Sequence, residues 1–342
     1  MQNKKSRTLF DEEFRLEKIS IKQDPLEKLN RNIDWELFRT ILNGVFAKES
    51  KGKGGRPAYD YVMMFKILIL QRYYNISDEQ AEYQILDRLS FMRFLNLSLS
   101  DNVPDCNTVW LFRENLTKAG AVEELFTCFD KQLQIQGLIA NKGSIIDASF
   151  VDVPRQRNRR QENQEIKENK VPEKFENNPN VLCHKDLDAR WTEKNKEKFY
   201  GYKNHVKVCK KSKLIEQYAV TDASVHDSQA LDNLIDETNT NQELYADSAY
   251  SGEPIAKLLE NKSIINRINE KGYRNKPLTA EQKENNKNKS KTRARVEHVF
   301  GFVEKNMNGS YIRTIGIQRA KAVIGLMNLT YNLFRFIQLA KA

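Results

Sequence analysis

The spacing of apolar residues changes character once along this chain, at Gly143–Ser144, and that change limits the folds open to it. Upstream, apolar residues recur at the period of helices buried on one side. Trp35, Leu37, Phe38, Ile41, Leu42, Val45 and Phe46 follow that period between Asn32 and Lys48. Tyr59–Tyr74 is apolar almost throughout and closes at Asn75, and Ser77-Asp78-Glu79-Gln80 has the form of a capping box opening the next helix. Further helical pieces are read at Phe91–Leu99, from Pro104-Asp105 to Asn115, and from Glu123 to Gln136, before Gly137 ends the series. The first 28 or so residues are charged and weakly patterned, an arm with one short helix.

Downstream the pattern is that of strands. Ser144–Val153 is one, Gly201–Val208 and Leu214–Thr221 form a hairpin across the Lys210-Lys211-Ser212-Lys213 turn, and Leu244–Ala246 and Ser263–Ile268 supply two more. Helices at Ser228–Ile235 and Glu253–Leu259 alternate with the later strands, and a long amphipathic helix runs from about Gln318. The expected fold class is therefore an all-α N-terminal domain, residues 1–140, followed by an α/β domain, residues 141–342, with a mixed five-stranded sheet flanked by helices. Residues 154–198 break the pattern as a long polar insertion with little to bury, expected to be mobile.

Charge narrows the partner. The formal net charge is +10, and the basic residues cluster: between Lys283 and Arg295 six of them face one acid, Glu284. A basic excess of this kind favours a polyanion, nucleic acid first. The loop Lys51-Gly52-Lys53-Gly54-Gly55-Arg56-Pro57 lacks the spacing of a nucleotide-binding loop and reads as a flexible basic contact to DNA phosphates. Four scattered cysteines, none in a C-x-x-C pair, exclude a disulfide framework and a zinc finger. The chain opens without an apolar leader, and Val62–Leu70 is too short to span a bilayer and contains Lys66. A soluble, cytoplasmic protein with no membrane partner is expected.

Three acids carry the chemistry. Asp147 ends the apolar run Ser144-Ile145-Ile146, Asp247 follows Leu244-Tyr245-Ala246, and Glu297 stands in what reads as a helix start, Arg293-Ala294-Arg295-Val296-Glu297-His298. Two carboxylates at strand ends plus one on a later helix is how a nuclease-type fold gathers oxygen ligands for a pair of Mg²⁺ ions, with Mn²⁺ able to substitute.

In order along the chain, several short runs resemble one family, the DDE transposases of bacterial insertion sequences, and within it the IS5-type group of the IS4-like set. In the helical region these are Gly55-Arg56-Pro57, Met64-Phe65-Lys66, Leu70–Asn75, Ser77–Gln80, Asp87–Phe91 and Val103-Pro104-Asp105. In the α/β region they are Ile146–Ser149, Asp188-Ala189-Arg190-Trp191, Gly201-Tyr202-Lys203-Asn204-His205, His226-Asp227-Ser228, Ala246–Tyr250 and Arg293-x-Arg295-x-Glu297.

The resemblance implies a ribonuclease-H-like catalytic domain behind a helical DNA-binding region. It also implies a two-metal DNA transposase on the bacterial nucleoid that binds the terminal inverted repeats of its own element, cuts at the ends and joins the 3′ ends to target DNA, as a homodimer on DNA. The family's acids fall on Asp147, Asp247 and Glu297. DNA-phosphate contacts are expected from Arg293, Arg295, Lys291, Lys305, Arg56 and Lys203, and supporting roles at the site from His205, His226 and His298. Two positions depart from the family pattern: Ser290 stands where a Tyr is usual, and Glu304 where a Lys is usual, with Lys305 one residue on. Trp191 is expected in the core rather than stacked on an extruded base. Two other functions share the three acids, a ribonuclease-H-like nuclease that does not join, and a DNA-binding relic acting as a repressor.

Overall fold

A helix that is apolar on every side has to be covered on every side, and Tyr61–Tyr74 (α4) meets that demand: each residue from Val62 to Gln71 is buried. The computed structural model describes residues 10–46, 57–139, 142–236, 239–274 and 276–340. It divides into two compact units, residues 1–121 with 333–342, and residues 122–332.

The first unit surrounds α4 with α1 (Asp11–Ile21), α2 (Pro25–Asn32), α3 (Arg39–Phe46), α5 (Asp78–Asp87), α6 (Leu89–Leu95) and α7 (Cys106–Ala119). The Asn32–Lys48 segment, read as one helix, is a 3-10 turn at Trp35–Phe38 followed by α3. The Asp60 carboxylate caps α4 by accepting the Met63 N–H, and Asn75 ends it in the left-handed region that Asn tolerates. Ser77 caps α5 through the Gln80 N–H, which is half of the expected capping box. Lys66 is buried inside this unit, donating to the Phe94 carbonyl at 3.0 Å, with its ammonium 5.1 Å from the centre of the Trp35 ring. Burial pushes it down to about 8. Asp78 ties α4, α5 and α7 together by accepting from Gln71 at 2.7 Å and from both terminal nitrogens of Arg113 at 2.7 and 2.8 Å.

The second unit opens with α8 (Ala121–Ile135) and is built on β1 (Ser144–Asp152). β3 (Glu197–Cys209) runs antiparallel to β1 in a register from Ser144 opposite Cys209 to Asp152 opposite Gly201. β4 (Ile215–Asp222) runs antiparallel to β3, β5 (Glu243–Tyr245) lies parallel to β1, and β6 (Ile265–Asn266) lies parallel to β5. These are the five expected strands in ribonuclease-H-like order, the last much shorter than its sequence pattern suggested. A sixth strand, β2 (Arg190–Lys194), pairs with the first five residues of β3. The expected helix at Ser228–Ile235 is instead two 3-10 turns, Asp227–Ala230 and Asp232–Leu234.

The insertion is thereby corrected. Residues 154–198 hold α9 (Arg160–Lys167), α10 (Glu173–Glu176), α11 (Pro179–Leu182) and β2. A few apolar residues anchor it: Ile166 and Phe175 are buried, as are Tyr200 and Tyr202 on β3. Asp186 fastens the segment from inside. It accepts the Tyr202 hydroxyl at 2.9 Å, the Asp188 and Ala189 N–H groups at 3.0 Å and the Gly316 N–H at 3.2 Å. Asp188, two residues on, accepts the Ile317 N–H at 2.8 Å and so holds the start of the last helix.

One side of the sheet, with Ile146 and Leu244, shares a core with Leu234 and Tyr250 of two 3-10 turns and with Ile255 and Leu259 of α12 (Glu253–Asn261). α13 (Ala280–Arg293), α14 (Glu297–Met307) and α15 (Ile317–Leu339) complete the chain. Asn328 on α15 exchanges amide hydrogen bonds of 2.9 and 3.0 Å with Asn204 on β3. One turn later Asn332 grips both the N–H and the C=O of Ile215 at 2.9 and 2.7 Å. On β3, Gly201 has a φ of 151° that suits glycine alone, and any Cβ there would collide with the Val151 carbonyl on β1.

Burial has left two carboxyls of this unit energetically exposed to pH. Asp130 on α8 is pushed up to about 7 by burial first, with the Glu216 charge adding to it. Glu216 is itself raised by burial while accepting the Ser144 hydroxyl at 2.8 Å. A folded carboxyl that holds its proton to higher pH than the unfolded one makes stability fall as pH rises, here between about pH 4 and pH 7. Asp130→Asn removes that loss. The variant should match the native protein near pH 4 and exceed it at pH 8 by up to about 4 kcal/mol, read by denaturant titration at both pH values.

Candidate active site

Register brings two of the three acids to one level. β5 lies beside β1 with Ile145 opposite Tyr245, so Asp147 and Asp247 each follow that pair by two residues on adjacent parallel strands. Asp147 is buried at 9 % exposure, and its Oδ1 accepts the N–H of Ala148 at 2.9 Å. Asp247 leaves the end of β5 as the cap of the 3-10 turn Ser248–Tyr250, accepting the Ala249 N–H at 2.8 Å. Glu297 comes from elsewhere in the chain. The Ala294–Val296 3-10 turn breaks α13 from α14 and places Glu297 as the exposed first residue of α14.

Asp247 and Glu297 both act on Asp147. Asp147 is pushed up to about 6, by burial first, against the opposing pull of the Ala148 N–H and Arg293, with the charges of Asp247 and Glu297 adding to the rise. Mutual repulsion among carboxylate oxygens at one end of a central strand is the condition a divalent cation relieves, and a hard oxygen set suits Mg²⁺ or Mn²⁺. The residues present therefore fit such ions in kind. They are not closed around one: among the described residues no three His, Cys, Asp or Glu side chains form a group that could hold a metal ion.

A guanidinium sits on Asp147 instead. Arg293, the last residue of α13, donates from Nη1 to Asp147 Oδ2 at 2.8 Å. Sequence spacing allowed Arg293 to pair with Glu297 one turn on, but the 3-10 turn that follows α13 separates them, and the partner lies 146 positions away. Ser290, at the position where the family usually has a Tyr, accepts the Asn269 amide at 3.1 Å and fixes α13 to the segment after β6.

The remaining expected residues scatter. Lys203 is buried, its ammonium 2.8 Å from Asp227 and 2.7 Å from the Val225 carbonyl, so it is not presented to a DNA backbone. His205 is fully buried, with Nε2 2.9 Å from the Thr221 hydroxyl, and burial pushes it down to about 4, which keeps it neutral. His226 is exposed and caps the Asp227–Ala230 turn through Ser228, and His298 is exposed beside Glu297. Lys305 is exposed near the end of α14, which stays regular to Met307. It lies about 80° around the helix from Glu297, whereas Glu304 lies close to the Glu297 face. Arg56 and the rest of the basic loop from 51 to 56 lie outside the described residues.

Lys283, Lys287 and Lys291 are all exposed and follow one face of α13 at one-turn intervals. Thr279 and Gln282 form a complete capping box at the start of that helix. Arg295, just beyond its end, donates to the Lys210 carbonyl at 2.7 Å.

Sequence reasoning missed two neighbours of the acids and misplaced a third residue. Tyr250 is fully buried with its hydroxyl unpartnered, raised well above its ordinary value by burial, then by Asp227, Asp147 and Asp247. Asp227, partner of Lys203, sits on the turn that packs against the Ser248–Tyr250 turn. Both stand in short runs that carry the family resemblance, where neither had a role of its own. Trp191, expected in the core, is 43 % exposed at the edge of an open hollow of about 470 Å³ lined also by Thr192, Glu193 and Lys198. Its ring packs on Tyr200 at 4.9 Å, and Arg155 lies 5.6 Å from the ring centre.

Residues 14–115 match the family model described as "Transposase domain (DUF772)", and residues 140–333 match the one described as "Transposase DDE domain". Among solved structures, the chain is similar to the cryo-EM structure of a piggyBac transposase synaptic complex with hairpin DNA. The identity is 13% and the TM-score 0.46, over 92% of this chain and 75% of that one. Among the described residues no helix is long and apolar enough to cross a membrane.

Proposed function

This chain belongs to the DDE transposase family and is a DNA transposase, and on that premise we propose that it cuts at the ends of its own insertion sequence and joins the resulting 3′ ends to target DNA in one site. The observation that carries this reading is the meeting of Asp147, Asp247 and Glu297, close enough that the latter two raise the first. DDE transposases use divalent metal ions, and Mg²⁺ is the ion proposed here, which Asp147, Asp247 and Glu297 would hold. When bound, such ions neutralise the phosphodiester and favour in-line displacement. The chain's own part is to set the acids in place. β1 and β5 fix Asp147 and Asp247 side by side, the start of α14 brings Glu297, and Arg293 supplies a fork of donors suited to a phosphate.

The DNA partner is proposed to be the terminal inverted repeats and the target. The helical unit would supply repeat recognition, and a homodimer would hold two ends together. Lys283, Lys287 and Lys291, about 6 Å apart along α13, form a track for a phosphate backbone, with Arg293, Arg295 and Lys305 as further cations near the site. Replacing the three track lysines by Gln should lower the slope of log affinity against log salt by about 2 to 3. Fluorescence anisotropy over a salt series measures it, and an unchanged slope would remove the track from the interface.

The test of the function itself is a labelled duplex carrying the element's ends, incubated with Mg²⁺ and a target plasmid. Cleavage followed by label joined to the plasmid is the expected result, and cleavage without joining would make the protein a nuclease. Binding with neither reaction would make it a DNA-binding relic.

A further inference from the structure

Resting on the assignment of Asp147, Asp247 and Glu297 as ligands, we infer that Arg293 is a positioning residue that occupies Asp147 in the DNA-free protein and releases it to the metal when a DNA phosphate draws the guanidinium away. Three features of the site lead there. The Arg293 guanidinium bonds the oxygen of Asp147 not already taken by the Ala148 N–H, at 2.8 Å. Asp147, Asp247 and Glu297 are not closed into a group of three that could hold an ion. Arg293 Nε is buried without any partner, so its planar fork is only partly used on the carboxylate.

A guanidinium and a divalent cation compete for one carboxylate oxygen and repel each other beside it, so the Arg293–Asp147 contact and ion binding oppose each other. A phosphate offers the guanidinium a two-point partner of the geometry its fork fits, which the present single contact to Asp147 does not supply. The helix that ends in Arg293 also carries the exposed Lys283, Lys287 and Lys291, which draw a phosphate backbone to this region, while Arg293 itself stands about 160° around the axis from Lys291. The side chain is 27 % exposed and therefore reachable from solvent. DNA should thus raise metal affinity, and by linkage the metal must raise DNA affinity by the same factor. The arrangement would keep the ion pair incomplete until a substrate is in place.

The test uses the full chain at pH 8, with Mn²⁺ binding followed by electron paramagnetic resonance, alone and with a duplex that already ends at the cleaved 3′ end. In the native protein the duplex should tighten Mn²⁺ binding at least tenfold, and Mn²⁺ should tighten duplex binding by the same factor. Without DNA, Arg293→Gln should bind Mn²⁺ at least tenfold tighter than the native protein, and adding the duplex should change it less than threefold. Without DNA, Arg295→Gln, which loses the same charge from a guanidinium bonded to the Lys210 carbonyl, should bind Mn²⁺ as the native protein does.

Equal Mn²⁺ affinity of Arg293→Gln and the native protein without DNA would overturn the inference. So would equal tightening by Arg293→Gln and Arg295→Gln, which would be a general charge effect. The native-protein linkage needs no variant, and a factor below two there overturns the inference whatever the variants do. If Asp147→Asn leaves Mn²⁺ affinity unchanged in the Arg293→Gln background, the ligand assignment itself fails and the inference with it. The other outcomes overturn Arg293's part alone.

Discussion

Asp147→Asn is expected to cut both cleavage and joining at least about 1,000-fold while leaving the chain folded. Asn keeps the shape of the side chain and can still accept the Ala148 N–H, but it presents no charge to a metal ion and none to Arg293. Stability should not fall with activity. Because burial and the neighbouring acids push Asp147 up to about 6, its ionised form is held at a net cost in the folded state. The folded protein binds the proton more tightly than the unfolded one, so this group's contribution to stability falls as pH rises between about pH 4 and pH 6. A neutral amide escapes that loss, and the variant's thermal midpoint at pH 8 should equal or exceed the native value. Joining assays and a melting curve on the same preparation decide it. An inactive variant that also melts much earlier would show that Asp147 matters for folding rather than for chemistry.

Lys203→Met should lower stability by about 3–5 kcal/mol, the largest effect on stability expected here. The ammonium is buried against Asp227 and the Val225 carbonyl, so its loss strands a buried carboxylate. Replacing both partners with apolar residues, Lys203→Met with Asp227→Leu, should recover most of the loss, since a buried ion pair is costly mainly when broken. Joining should also weaken in the single variant, because the Asp227–Ala230 turn packs on the turn that Asp247 caps. Denaturant titration of the single and double variants measures the first effect. A loss below about 1 kcal/mol in the single variant would mean that solvent reaches the pair after all.

Asp147 and Lys203 mark the two sides of what sequence pattern can reveal. Asp147 and Asp247 each end a short apolar run, and a parallel strand pair with matched runs has one natural register, so their meeting is legible in the pattern. The burial of Lys203 is not. It alternates along β3 with Tyr202 and Asn204, and in a strand covered on both faces even a lysine is buried if a partner waits for it; that partner, Asp227, lies on a turn whose sequence reads as the approach to a helix. The pairing of Arg293 with Asp147 is hidden for another reason. Local spacing offers Arg293 a partner at Glu297, and only the 3-10 turn between the two helices turns the guanidinium toward β1.

Composition misleads in the polar insertion. Its order rests on Asp186, a buried carboxylate whose hydrogen-bond partners are a tyrosine hydroxyl and backbone N–H groups spread from 188 to 316, and no local window contains them. Trp191 departs in the opposite direction. A tryptophan's large apolar ring is expected in a core, whereas β2 pairs only with β3 and ends the sheet, with solvent on the side where the ring lies.

The most direct test of the shared metal site replaces Asp247 and, separately, Glu297 by Cys and measures joining of a labelled element end to a target plasmid in Mg²⁺ and in Mn²⁺. Thiolate is a poor ligand for Mg²⁺ and a better one for Mn²⁺. Each variant should be inert in Mg²⁺ and recover joining in Mn²⁺, with the native chain active in both. Undiminished joining in Mg²⁺ by either variant would contradict the assignment of that acid, and by both would contradict the site.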